Sequence, residues 1–244
     1  MKRTAGKFLR KTTASVLKRF YILTSDGFST GSAYGARFVF DWRHSLDKKV
    51  AVELYEREQI AYLREHLDRL NADMFVDIGS HAGLYSVIAK TDHPDMEIHA
   101  FEPDRTNLCQ LYANLFVNGM QTNILVHEHG ISDHDGKVSF DTSDATSSRG
   151  TRRISDTGNT EISVRRLDSV LNCSGKTVVI KIDVEGHECE AIEGAGNFLA
   201  NNRCYLQVES APEKYAALHK RLTELGYRHV HTCGDHYFTN MDDT

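Results

Sequence analysis

Residues 178–190 read Val-Val-Ile-Lys-Ile-Asp-Val-Glu-Gly-His-Glu-Cys-Glu, and this stretch constrains the fold more than any other. An apolar, largely β-branched run that stops at an acid and is followed by a lone Gly reads as a buried parallel strand, a turn and a helix start. The strand ends at Asp183, Gly186 makes the turn, and the helix begins at about His187. In open α/β sheets, ligands bind just beyond the carboxyl ends of the strands. Asp183, Glu185 and His187 are therefore expected at the lip of a pocket. Glu188 and Glu190 need no such reading, since acids in a first turn complement the helix dipole. Asp183 does need one, because a carboxylate closing an apolar strand is costly to bury without partners.

The same strand-then-helix pattern recurs along the chain. Met74–Ile78 is a strand that runs into the turn Gly79-Ser-His-Ala-Gly83, and Leu84 to Lys90 continues as a helix. Glu97–Phe101 is a second strand, closed by Glu102-Pro103, with Asp104 placed to cap a helix whose stripe is Leu108, Leu111, Tyr112, Leu115 and Phe116. Further strands are read at residues 123–127, 137–140, 161–166 and 204–208. A helix follows Gly186 with the stripe Ala191, Ile192, Ala195, Phe198 and Leu199, another covers Glu213–Leu225, and residues 227–239 close as a hairpin. Strands alternating with helices imply an α/β, Rossmann-like, doubly wound and mostly parallel sheet with helices on both faces. Residues 141–161 form a long polar stretch, and loops of that length are usually functional or disordered. Its Arg149, Arg152 and Arg153, with Arg165 and Arg166 after it, suit an acidic sugar or a phosphate carrier, or equally a solvated loop.

Composition narrows the class. With 244 residues, 40% of them hydrophobic, the chain favours one large domain plus elaboration, divided as residues 1–70 and 71–244. The five Cys form no CxxC pair, which suits a reducing, cytoplasmic compartment. A net charge of -5 gives no reason to expect nucleic acid. No apolar run is long enough to span a membrane, and the first apolar segment is too broken by charge to be a signal peptide. Residues 1–25 differ from the rest: Lys2, Arg3, Lys7, Arg10, Lys11, Lys18 and Arg19 stand there without a single acid. This basic amphipathic helix reads as peripheral attachment to an anionic inner membrane surface, or as a helix or lid packed on the body. A hairpin over Gly27–Trp42 and one long helix over Leu46–Leu70 follow.

The first turn identifies the ligand class. A dinucleotide site wants G-x-G-x-x-G, but His81 stands where the middle Gly would be, and no P-loop ending is present. Asp77 inside the strand end, beside Gly79, suits an amine-bearing ligand better than a phosphate. S-adenosylmethionine fits, since its ammonium wants a carboxylate and its carboxylate can use helix N–H groups. Glu102 is placed to accept both ribose hydroxyls, a position that also serves nucleosides in dehydrogenases. Ser132 and Asp133, after the third strand, lie either near an adenine ring or in an ordinary turn.

Five blocks carry a family resemblance. They are residues 75–86, Ala100-Phe-Glu-Pro-Asp104 with Asn107, Gly130-Ile-Ser-Asp133, Arg166-Leu-Asp168, and Lys181-Ile-Asp-Val-Glu-Gly-His-Glu188. In this order they resemble the FkbM family of methyltransferases over roughly residues 50 to 210. The resemblance implies a seven-stranded sheet with an antiparallel last strand, S-adenosylmethionine as cofactor, and O-methylation of a hydroxyl on a sugar or other small acceptor. It also implies a cofactor site of Asp77, Gly79, His81, Gly83, Glu102, Ser132, Asp133 and Asp183. His81 departs from the Asn usual in that turn.

The chemistry then needs a group that removes the acceptor's proton. His187, Asp183, Glu185 and Glu209 all sit at strand ends or in the turn after one. His187 is the natural base, since an unperturbed pKa of about 6.5 lies near working pH. Asp183 with Glu209 could instead hold a divalent cation such as magnesium, or Asp183 could serve only as an ion-pair partner of Lys181. Two rival functions remain at this stage. A nicotinamide oxidoreductase lacks its second Gly and a Tyr-x-x-x-Lys pair here, and a non-catalytic, membrane-associated binding protein would not need the acids at the strand ends. Methylation of nucleic acid finds no Asn/Asp-Pro-Pro-aromatic motif.

Overall fold

The computed structural model describes residues 2–142 and 152–242. The chain opens with α1 (Lys2–Thr24), β1 (Phe28–Ala33), β2 (Ala36–Asp41), α2 (Ser45–Ala51) and α3 (Arg57–Leu70). Next come β3 (Met74–Ile78), α4 (Leu84–Asp92), β4 (Glu97–Phe101), α5 (Arg105–Val117) and β5 (Leu125–His127). A small side sheet takes β6 (Gly130–Ile131), β7 (Gly136–Asp141), β8 (Arg153–Ile154) and β9 (Thr160–Arg165). Then follow α6 (Leu167–Val170), β10 (Thr177–Ile182), α7 (Glu188–Glu193), α8 (Gly196–Asn201), β11 (Arg203–Val208), α9 (Pro212–Glu224), β12 (Arg228–Cys233) and β13 (Asp235–Thr239).

The main sheet has seven strands in the order β12-β13-β11-β10-β3-β4-β5. Neighbours from β11 through β5 are parallel, and β13 returns antiparallel beside β11. Strand periodicity sorts the side chains into two layers. Met74, Val76, Ile78, Val178, Ile180, Ile182, Cys204 and Leu206 pack with Ile192, Phe198, Leu199, Leu218 and Leu222 of α7, α8 and α9. Phe75, Val179 and Tyr205 face the other way, onto Ile60, Leu63, Leu67, Ile88, Leu111 and Leu115 of α3, α4 and α5. Phe38, Phe40 and Trp42 of the hairpin belong to this second cluster. Asn114 of α5 and Asn118, which caps it, bond the backbone of Val39 and Arg37, so the hairpin is tied to α5.

Two helices differ from the sequence expectation. The stripe of Leu46–Leu70 predicts one helix, yet the chain breaks it between α2 and α3. Glu53 and Glu56 take left-handed φ values of 50° and 41°. Tertiary hydrogen bonds hold them there. Glu53 accepts the Tyr34 N–H at 2.9 Å, the Tyr34 hydroxyl donates to the Tyr55 carbonyl, and the Tyr85 hydroxyl donates to Glu56 at 2.7 Å. These outweigh helix propensity, which is a weak prior. The helix after Gly186 is likewise split in two at Gly194, where the chain passes hard against the Ser132 carbonyl. Asp168 satisfies the start of α8 by accepting the Asn197 and Phe198 N–H groups, which gives the Arg-Leu-Asp block a structural role.

In the polar stretch, β8 pairs with β7, while residues 143–151, Arg149 among them, lie outside the described residues. The basic helix α1 packs on the body through Arg10, Ala14, Leu17 and Tyr21, whose ring stacks on Trp42 at 5.2 Å. Among the described residues no helix is long and apolar enough to cross a membrane.

Candidate active site

The site grows from a row of polar side chains on one face of the sheet. Asp77, Lys181 and Gln207 stand in register on three adjacent parallel strands, β3, β10 and β11. Each is a charged or amide side chain in the apolar interior of its strand, and each is buried. Lys181 donates to Asp183 at 2.6 Å and lies 4.8 Å from the centre of the Tyr85 ring. Gln207 donates to Asp235 at 2.7 Å and to the Tyr85 hydroxyl at 3.3 Å. Asp77 accepts both the N–H and the hydroxyl of Ser86 in the first turn of α4.

Above the row opens a cavity of about 340 Å³, within the range of small-molecule sites. One end is built by β4 and the side sheet. Glu102 is fully buried and accepts the His81 and Asp104 N–H groups, each at 2.8 Å. Burial pushes its carboxyl up to about 7, against the pull of those two N–H bonds. Asp104 caps α5 by accepting the Thr106 and Asn107 N–H groups, and it ion-pairs with Arg152. Gly130, Ile131, Phe140, Ile154 and Ile162 give this end an apolar wall. Buried atoms here lack partners among the described residues: the Ser80 hydroxyl, the Asn107 side-chain oxygen and Nε of Arg152. Since buried polar groups are normally bonded, these mark where a polar ligand belongs.

The other end is acidic. Burial raises Asp183, but Lys181 and the contact with Glu209 outweigh it and hold the carboxyl below its usual range. Glu209 is raised by Asp183 first and by burial second, so this pair holds one proton, resting on Glu209. Glu185 sits at the rim in a left-handed conformation, with φ 53°. It accepts no hydrogen bond among the described residues, and partial burial with Asp183 and Glu188 beside it lifts it to about 7. His187 also lines the cavity, but its Nε2 lies 2.9 Å from the Ser132 hydroxyl and its Nδ1 3.6 Å from Glu190. Burial lowers its pKa.

Of the residues singled out from sequence, Asp77, Gly79, His81, Glu102, Asp183, Glu185, His187 and Glu209 all line this one cavity. Gly83, Ser132 and Asp133 do not. Gly83 lets α4 start against Leu111, and Ser132 is buried under His187, where it bonds Asp133 as well. Arg152, just before β8, reaches the cavity, while Arg166 faces Asp135. Sequence reading missed Tyr55 and Glu56, which enter from the break between α2 and α3, and Asn107 as a polar wall residue. The run of charge around Tyr55 hides them among ordinary helix-surface residues. Among the described residues, no group of three or more His, Cys, Asp and Glu is arranged to hold a metal ion. Asp183 is instead taken by the Lys181 ammonium.

Comparison with known proteins fits this geometry. Over 172 residues the chain is 29% identical to the hexuronic acid methyltransferase AglP of Haloferax volcanii, a match that covers 69% of this chain and 67% of AglP. The fold is similar to the crystal structure of the methyltransferase FkbM from Methylobacillus flagellatus KT, with a TM-score of 0.50 and 17% identity over 81% of this chain. This chain spans 56% of that protein's length. Residues 77–229 match the methyltransferase FkbM domain, from the end of β3 to the start of β12, and the chain therefore belongs to the FkbM methyltransferase family.

Proposed function

We propose that this chain transfers a methyl group from S-adenosylmethionine to a sugar hydroxyl, with Glu185 as the base that takes the hydroxyl proton. The carrying observation is one cavity with the buried Glu102 carboxylate at one end and, at its acidic rim, the Glu185 carboxylate, which accepts no hydrogen bond among the described residues. The residues fit the cofactor. Glu102 keeps acceptor capacity for ribose hydroxyls, Asn107 and Ser80 have spare bonding capacity beside it, and the Asp77–Asp183 end suits an ammonium. When bound, S-adenosylmethionine supplies an electrophilic methyl on a sulfonium. The residues align the acceptor oxygen and receive its proton. A sugar acceptor is supported by the hexuronic acid named for AglP.

That name also favours a second reading, methylation on the carboxylate of a uronic acid, which needs no base. Against it stand Glu56, Asp183 and Glu185 at the acidic end, where the Lys181 ammonium is already bonded to Asp183. Labelled methyl transfer to neutral hexoses and to hexuronates separates the two. The expected product is an ether, stable to mild alkali; an alkali-labile ester overturns the hydroxyl reading.

Two further expectations arise from the site. Glu185→Gln is expected to lower kcat by about a hundredfold or more, the range of a lost general base. His187→Ala should cost less, because its ring is committed to Ser132. In wild type, kcat should rise through about pH 7, since the base must be ionised. A wild-type kcat in Glu185→Gln removes that residue from the chemistry.

The Glu102 carboxyl makes cofactor binding pH-dependent. Its folded pKa of about 7 lies above the ordinary 4.5, so its contribution to stability is full below 4.5 and fades as pH rises through 7. Ionised Glu102 is the better acceptor for hydroxyls, so cofactor affinity should climb across that same window and level off above it. By calorimetry, Glu102→Gln is expected to flatten the profile and to weaken binding by about tenfold or more, the worth of a charge-assisted hydrogen bond. An unchanged profile would place the ribose elsewhere.

A further inference from the structure

The outward face of α1 has no role in the fold or the cavity. Eight large apolar side chains are most exposed among the described residues, and Val16, Phe20, Ile22, Leu23 and Phe28 are five of them. Val16, Phe20 and Leu23 recur at i, i+4 and i+7, so they form one stripe, exposed by 62%, 56% and 84%. The stripe points away from the face of Arg10, Ala14, Leu17 and Tyr21 that is already packed on the body.

Charge sets this element apart. Residues 1–25 hold seven Lys and Arg and no acid, whereas the remaining 219 residues carry 22 Lys and Arg against 34 acids. The cations also gather across the seam between α1 and α2. α1 packs on α2, and burial together with the nearby charges of Lys18 and Lys49 pushes the Lys48 ammonium's pKa down. None of the three forms an ion pair with an acid among the described residues. Ammonium groups held against each other without counter-charge are relieved by an anion bearing several acceptor oxygens, as a phosphodiester does.

We propose that α1 together with α2 is a docking surface for an anionic lipid membrane. Val16, Phe20 and Leu23 enter the headgroup–acyl boundary, while Lys11, Lys18, Arg19 and Lys48 meet lipid phosphates. An apolar stripe flanked by cations is the pattern of a helix that lies in the interface plane. A second copy of the chain is a poor occupant, because it brings the same cations to the same face. Ser45, Leu46, Lys49 and Val50 of α2 line the cavity, so the lipid surface would adjoin the elements that receive the acceptor. The inference does not depend on which oxygen is methylated.

Co-sedimentation of the full chain with vesicles tests it. With equimolar phosphatidylcholine and phosphatidylglycerol the protein is expected to pellet, with phosphatidylcholine alone at least tenfold less. Raising salt to about 1 M, where the screening length falls to about 3 Å, should release it. A basic residue near an anionic surface is worth about fivefold in partition. Lys18→Glu with Lys48→Glu, and separately Phe20→Ser with Leu23→Ser, should therefore each weaken partition by about tenfold or more. Unchanged melting and unchanged S-adenosylmethionine affinity confirm that both variants are folded. Absence of wild-type binding to anionic vesicles overturns the proposal and leaves the face to an acidic protein. So does equal binding to neutral vesicles, or binding that neither folded variant weakens.

Discussion

Gly79→Ala is expected to destabilise the protein by about 4 kcal/mol or more and to abolish cofactor binding. Three costs add at this position. The residue has φ +84°, and left-handed backbone costs a non-Gly residue about 1–2 kcal/mol. A Cβ would stand 1.8 Å from the Asp183 carbonyl oxygen and 2.8 Å from its carbon, so backbone rather than a flexible side chain must yield. Asp183 cannot withdraw freely, because its N–H donates to the Ile78 carbonyl at 3.0 Å. Moving Gly79 instead breaks its own N–H bond and that of Ser80, both to the Phe101 carbonyl. The ends of β3, β4 and β10 meet here, so any relief splays the strands that hold Asp77, Glu102 and Asp183. Gly194→Ala isolates the steric part. Its φ of −72° suits Ala, yet the new Cβ would lie 1.9 Å from the Ser132 carbonyl oxygen. Overpacking of this kind costs about 1–3 kcal/mol. Chemical denaturation of both variants decides the matter. If Gly79→Ala retains wild-type stability and affinity, the turn is not packed against the Asp183 carbonyl.

The central strands of the sheet were legible because each is a short, mostly apolar and β-branched or aromatic run, and such runs need little context. The acids at the strand ends were legible for the same reason: Asp77, Glu102 and Asp183 interrupt the pattern, and a polar residue in a buried run needs an explanation. What was not legible depends on partners distant in sequence. Nothing local in residues 46–70 announces that Tyr34 and Tyr85 will pull Glu53 and Glu56 into left-handed backbone. The stripe runs straight through the break, so Tyr55 and Glu56 read as helix surface. Ser132 and His187 are 55 residues apart, and their bond commits the ring nitrogen that sequence reading assigned to the chemistry. Strand order is also absent from local pattern. Without it Lys181 is one charge in one strand, and its place between Asp77 and Gln207 cannot be seen.

Lys181→Met is expected to cost about 3–5 kcal/mol at neutral pH, the price of breaking a buried pair from one side. The ammonium is buried on β10, bonded to Asp183, and held strongly protonated by Asp183, Glu56, Asp235 and Asp77, whose attraction outweighs the burial that opposes it. Met fills the same channel with no charge, leaving those carboxyls to repel one another across the sheet face. The loss is pH-dependent, and the sign follows from two groups. Asp183 has a folded pKa below its unfolded value of 3.8, so its contribution is present above 3.8 and vanishes as pH falls through the lower folded value. Lys181 has a folded pKa above 10.5, so its own contribution persists until pH rises past 10.5. The difference between wild type and variant should therefore be largest from neutral pH upward and shrink as the solution is acidified through the carboxylate range. Asp183→Asn in the Lys181→Met background removes the carboxylate that the ammonium had bonded. It should recover part of the loss, a coupling that a double-mutant cycle reads directly. Denaturant titrations at neutral and acid pH carry the test. A loss that is the same at both, or a double variant no better than the single, would mean that the carboxyls around Lys181 are already neutral in the native protein and that the row holds no charge for the ammonium to balance.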